Sequence, residues 1–254
     1  MAKDKEQQSE GTQLALFEDQ LAGLAAQAVK AEQSTAGVSF LSTQGGILKW
    51  QGNPIAGNKL QCVILASPVE RLYYAERYDP TKKVGPACTA ISINAIGMTP
   101  VQTGEGLPVQ HPTCEGCPKN EWGSAANGGK GKACRETRRL ILLPSDALTS
   151  PEAIAAAEIA ALRPPVTSLK NYAGYVQTIA ATYKRPPLAM VTEIAVVPDA
   201  KTQFKVTFSM VKAIDDATLI TALLARATRE TEAAIATAGV VDGDDAGTTQ
   251  STRF

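Results

Sequence analysis

Apolar positions along the chain change their spacing several times, and each change marks a different kind of element. From Leu14 to about Lys30 they recur at three- and four-residue intervals in LALFEDQLAGLAAQAVK, which predicts an amphipathic helix or arm. The Gly-, Ser- and Thr-rich QSTAGVSFLSTQGG stops that pattern. Beyond Val38 the runs become short and rich in β-branched and aromatic residues: GILKW, KLQCVILASP, RLYYAERYD and CTAISINAI, separated by Gly, Pro and Asn. Such runs predict strands, and KACRETRRLILLP returns to the same pattern after a polar, glycine-rich interruption.

Helical spacing reappears from Pro151 to Leu162, where Ser150 can cap and Pro151 can open the first turn, and again from about Ser168 to Tyr183. LAMVTEIAVVP and QFKVTFSMVKAI alternate around DAKT and predict a β-hairpin, followed by a third helix from Asp215 to about Ala238. The closing GVVDGDDAGTTQSTRF is polar, Gly-rich and without period, as a disordered tail would be. The fold class is therefore α+β. Residues 1–37 form an arm, and 38–214 a β domain broken by a loop insert (about 108–136) and a helical insert (about 150–184). Residues 215–239 are a C-terminal helix and 240–254 an acidic tail.

With 254 residues, 44% of them hydrophobic, the chain can bury a substantial core. Its 25 basic and 25 acidic residues cancel, so affinity for a polyanion has to come from local clustering rather than from the field of the whole protein. No run approaches the roughly 18 apolar residues of a membrane span. The opening MAKDKEQQSEGTQ lacks the apolar centre of a signal peptide. The expectation is a soluble, cytoplasmic protein without a membrane partner. Five cysteines, an odd number, suit reduced thiols or metal ligands better than a disulfide framework.

The chemistry concentrates in HPTCEGCPKNEWGSAANGGKGKAC, residues 111–134. Cys114 and Cys117 make a C-x2-C knuckle, a spacing that lets two thiolates converge on one tetrahedral Zn²⁺. Cys134, separated from Cys117 by sixteen mostly small or polar residues, is the natural third ligand, since such a loop folds back freely. The fourth is either His111, three residues before the knuckle, or Cys88 on the preceding β segment. Cys88 is preferred because it would pin the insert to the β domain. Cys62, inside LQCVILA, is a core thiol. GSAANGGKGK is not a phosphate loop, because Ala133 stands where Ser or Thr is needed. One histidine, no nucleophile elbow and no fixed carboxylate pair argue against an enzyme.

The same stretch carries a local positive patch: Lys119, Lys130, Lys132, Arg135, Arg138 and Arg139 against Glu121 and Glu136 alone. Such a patch binds phosphates by releasing counterions. Aromatic residues are sparse, at 5%, yet gather in the β region, among them Trp50, Tyr73, Tyr74 and, within the insert, Trp122. Rings beside basic side chains suit single-stranded nucleic acid, where every base offers a π-face. Trp122 and one of Tyr73 and Tyr74 are the stacking candidates, since neighbours on a strand face opposite ways. Asp242, Asp244, Asp245 and the terminal Phe254 give the tail the means to occupy a basic groove or dock replication or recombination proteins.

The motifs CEGCPKNEWGS, GKGKACRETRRL and YDPTKKVGPAC resemble those of a group of tailed-phage proteins that share C-x2-CP-x-N-x-[WF]-GS, G-x-GKAC-x3-RRL and a YD…P-x-C segment. That group is similar in plan to the zinc-containing, OB-fold single-stranded-DNA-binding proteins of bacteriophage DNA replication and recombination. The resemblance covers about residues 40–143. It implies an OB-like antiparallel β-barrel with a zinc-binding insert, with Cys88, Cys114, Cys117 and Cys134 at the matching ligand positions. It further implies a protein that coats single-stranded DNA in the host cytoplasm. The alternatives are a zinc-stabilised protein-interaction module and an accessory factor that reads duplex DNA or RNA.

Overall fold

The computed structural model describes residues 39–76, 85–101, 109–125 and 129–237. The N-terminal arm expected for 1–37 and the tail from 240 onward lie outside them. The architecture is α+β, with a curled, half-barrel sheet rich in antiparallel pairs and a few helices.

Among the described residues, eleven strands form two sheets. The larger uses β1 (Ser39–Ser42), β2 (Lys49–Trp50), β3 (Asn53–Pro54), β4 (Lys59–Ala66), β8 (Leu140–Pro144), β9 (Ala160–Leu162), β10 (Met190–Asp199) and β11 (Gln203–Ala213). Its order is β11-β10-β4-β8-β9-β1-β2-β3, antiparallel except where β1 meets β9. The smaller sheet sets β5 (Val69–Tyr73) between β6 (Cys88–Ser92) and β7 (Cys134–Arg138). The two sheets share one ribbon. Strands β4 and β8 pair in the large sheet, their chain continuations β5 and β7 pair in the small one, and the ribbon bends where Arg139 N–H donates to Pro68 C=O at 3.0 Å. The insert between β6 and β7 is thus anchored at both ends by the small sheet.

Strand β4 shows why the centre of the large sheet is stable. Its Cys62, Val63, Ile64 and Leu65 are all buried, a continuous run that needs cover on both faces. Helix α2 (Leu169–Tyr183) supplies one cover, packing Tyr172, Tyr175 and Ile179 against Cys62, Ile64, Leu140 and Leu142. Helices α1 (Pro151–Ala156) and α3 (Ala217–Ala236) supply the other, with Ile154 and Leu223 against Val63, Leu65 and Leu143. The expected hairpin is present as β10–β11, and Asp216 caps α3 by accepting from Thr218 N–H at 2.7 Å and Leu219 N–H at 3.1 Å.

One expected helix is corrected. Ser150 caps α1, accepting from Ala153 N–H at 3.2 Å, but the helix ends at Ala156 and Ala160–Leu162 is a strand. Pro164 and Pro165 deny a longer helix its continuation, and the small, fully buried Ala160 and Ala161 let β9 fit between β8 and β1. The shortened helix ends on Arg226 of α3, whose guanidinium donates to the carbonyls of Ile154 (2.9 Å), Ala155 and Ala157 (2.8 Å). That fills acceptors a helix terminus leaves open.

Buried beneath the small sheet is an ionic cluster. Glu70 of β5 is fully buried and accepts from Arg139 and from Arg163 (2.5 and 2.8 Å), while both guanidiniums lie over the Phe40 ring, at 5.4 and 4.2 Å. Burial alone would raise the Glu70 carboxyl. The hydrogen bonds and charges of Arg163 and Arg139 outweigh that and hold it below the usual carboxylate range. The cluster locks β5 to β1 and to the chain leaving β9.

Candidate functional site

Strand β5 organises the site through its register. Tyr73 lies directly opposite Cys88 on one side and Cys134 on the other, so all three side chains project from one face of the small sheet. Arg71, two residues back, shares that face. The insert brings the knuckle to the same place: Cys114 N–H donates to Met98 C=O at 2.9 Å, and Asn120 Nδ2 donates to Cys114 C=O at 2.9 Å. Between the two thiols, Gly116 takes φ +75°, a turn that a side chain would strain. Cys88, Cys114, Cys117, Cys134 and His111 then line a single cavity of about 20 Å³, together with Arg71, Tyr73, Lys119 and Asn120. That volume holds one water-sized sphere or one ion.

The electrostatics of this cavity follow from burying thiols beside one another. Cys134 is pushed up to about 12, by burial first and then by Cys114, Cys88 and Cys117. Burial also raises Cys88, against a hydrogen bond from the Gln110 backbone, and Cys114, against a hydrogen bond from Arg71. Arg71 is buried, bonds Glu136 Oε2 through Nε (2.9 Å) and Nη2 (2.7 Å), and leaves Nη1 buried without a hydrogen-bond partner. His111 engages its Nδ1 with the backbone of Thr113 at 2.7 Å, which turns that nitrogen away from any second role. Among the described residues no three His, Cys, Asp or Glu side chains stand ready-made as a metal site. The cavity gathers four thiols, a side chain that binds metal only as the thiolate.

The rim carries the rings and the cations. Lys119 Nζ lies 5.1 Å from the Tyr73 ring centroid, and Lys132 Nζ lies 5.5 Å from that of Trp122. Lys132 also donates to Asn120 Oδ1 at 3.2 Å, and Ser124 Oγ accepts from Ala133 N–H at 2.9 Å, which ties the two limbs of the insert together. Trp122 is 79% exposed. Lys130 is exposed on the same insert.

Of the remaining basic and aromatic candidates, Arg138 shares this face, farther along β7, and the others do not. Arg135 is exposed on β7 but pairs with Leu72, on the opposite face from Tyr73, and half-buried Tyr74 lies within the influence of Arg135, Arg163 and Glu70. Arg138 is half-buried and donates to Ser67 C=O at 2.8 Å. Arg139 requires a correction: expected to meet phosphates, it is buried and bound to Glu70, because consecutive strand residues face opposite ways and only one of the pair Arg138–Arg139 stays near solvent. Asp242, Asp244, Asp245 and Phe254 lie outside the described residues. Arg71 has no place in the sequence reading of the site, and Lys119, expected only as part of the basic patch, lies over the Tyr73 ring. Arg71 stands at an i−2 position from Tyr73, the one signal for its place on that face. Cys62 is fully buried in the main core, and its thiol is pushed up by that burial.

No helix among the described residues is long and apolar enough to cross a membrane. Comparison of the chain with protein-family models, curated proteins and solved structures gives no match.

Proposed function

We propose that this protein is a non-enzymatic single-stranded-DNA-binding protein, of the kind that serves phage DNA replication or recombination, whose insert is clamped by Zn²⁺. The observation that carries the reading is the pairing of rings with lysines around the thiol cavity: Tyr73 with Lys119, and the exposed Trp122 with Lys132. Rings stack on any base and lysines meet its phosphate, giving sequence-tolerant, salt-dependent binding. The curled sheet is read as an OB-like barrel, with Tyr73 on β5 and Lys119, Trp122 and Lys132 on the insert beside it.

The residues present fit a structural zinc. Four thiols line one small cavity, and a tetrathiolate centre would carry net negative charge, which the buried Arg71 on the same cavity wall would offset. Cys88, Cys114, Cys117 and Cys134 would hold the metal, with His111 as the alternative fourth donor. Bound zinc supplies cohesion, fixing the insert to β6 and β7. A second reading, a zinc-held module for a protein partner, is favoured by Ile93 and Ile96, 65% and 83% exposed beside the knuckle.

Titration with an unstructured oligonucleotide at two salt concentrations tests the first reading. Contacts from Lys119, Lys130 and Lys132 predict a log–log salt slope of about −2 on single strands. Absence of binding at low salt, with the metal present, would remove the DNA reading and leave the protein-partner one.

A further inference from the structure

A groove of about 570 Å³ opens between the small sheet and α2, within the size range of binding clefts. Its floor is apolar, made by Val69, Leu169, Val176 and Pro187, and its rim carries Arg138 and Lys170. The one carboxylate lining it, Glu136, is already held by Arg71, and Lys170 pairs with no acidic group among the described residues. The rim is therefore net positive over an apolar floor. The first turn of α2, which lends Leu169 and Lys170, adds the positive end of a helix dipole.

The groove is continuous with the site described above. Val69, Arg138 and Glu136 share a face of the small sheet with Tyr73, Cys88 and Cys134, four residues along β5 or about 13 Å away. The loop after β6 bridges the two regions. Ala95 lines the groove, while Gly97 N–H donates to Glu115 Oε1 of the knuckle at 3.0 Å and Met98 accepts from Cys114. The exposed Ile93 and Ile96 lie on that bridge.

From this placement, and resting on the single-strand reading above, we propose that the groove is the second half of the nucleic-acid path. The strand leaves the insert rim, crosses the loop at Ile93–Ile96 and lays one or two nucleotides into the groove, bases on the apolar floor and phosphates on Arg138 and Lys170. A stack of base over phosphate matches an apolar floor under a cationic rim.

The test uses the full chain with bound metal and a ladder of oligothymidylates, from a few nucleotides to about twenty. The double variant Lys170→Glu with Gln177→Glu changes exposed positions on α2 and leaves the core intact. Lys212→Glu on β11 controls for long-range charge. Affinity of the wild type should rise with length to a plateau. The double variant should match it on the shortest oligomers and fall about tenfold or more below it on the longest, while Lys212→Glu follows the wild type. Equal affinity of wild type and double variant at every length overturns the groove while leaving the insert reading standing. A uniform loss at all lengths, shared by Lys212→Glu, also overturns it. A wild type that binds no oligomer overturns both.

Discussion

Replacing Glu70 by Gln removes a negative charge from a point where two guanidiniums converge. The carboxylate is fully buried, accepts three hydrogen bonds and is the counter-charge of Arg139 and Arg163, whose side chains are 4% and 11% exposed. Breaking a buried ion pair from one side costs about 3–5 kcal/mol, because the remaining charges keep their desolvation without compensation. With a urea slope near 3 kcal/mol/M for a chain of this size, the midpoint should fall by about 1–2 M. The pH dependence gives an independent check. The folded carboxyl is held below its unfolded value, so its stabilisation is complete above the unfolded value, about 4.3, and is lost as pH falls through the depressed folded one. The gap between wild type and Glu70→Gln should therefore be widest near neutrality and close in acid. Urea unfolding of both proteins across that range measures it. A loss under about 1 kcal/mol, or a gap that does not change with pH, would refute the reasoning.

Other outcomes follow from the same geometry. Trp122→Ala should leave the unfolding midpoint unchanged, since the ring is exposed, while weakening oligonucleotide binding by about 1–3 kcal/mol in an anisotropy titration. Arg226→Met should cost about 1.5–3 kcal/mol in urea unfolding, because it strips charged donors from the last carbonyls of α1. Alanine at Cys88 should release bound zinc, measured by a colorimetric chelator, whereas His111→Ala should retain it; the reverse result would reassign the fourth ligand. Chelation of the metal should expose the insert to protease while the core of the large sheet persists, seen as cleavage confined near residues 109–133.

Legibility in the sequence followed the range of the interactions. The β10–β11 hairpin was readable because its alternation and turn are local, and so were Ser150 and Pro151 at the start of α1. The strand Ala160–Leu162 was not, since its alanines fit a helix equally well by propensity and only burial between β8 and β1 decides the matter. Glu70 meets Arg139 and Arg163 across 69 and 93 residues, a pairing no local pattern contains, and that pairing removes Arg139 from the surface. Spacing alone grouped Cys114, Cys117 and Cys134 and left the fourth position open between Cys88 and His111, and all five line one cavity. Their partner Arg71 was not readable, because its place beside the cavity comes from the β5 register. The groove under α2 arises from packing between elements about a hundred residues apart in sequence, Val69 and Leu169.

The most direct test of the central claim is a fluorescence-anisotropy titration of the metal-loaded protein with a labelled, unstructured single strand at low salt, with the matching duplex as competitor. Binding that the duplex fails to displace, and that weakens with added salt, is the predicted result. No binding at full metal occupancy, or displacement by duplex as readily as by single strand, would contradict the account.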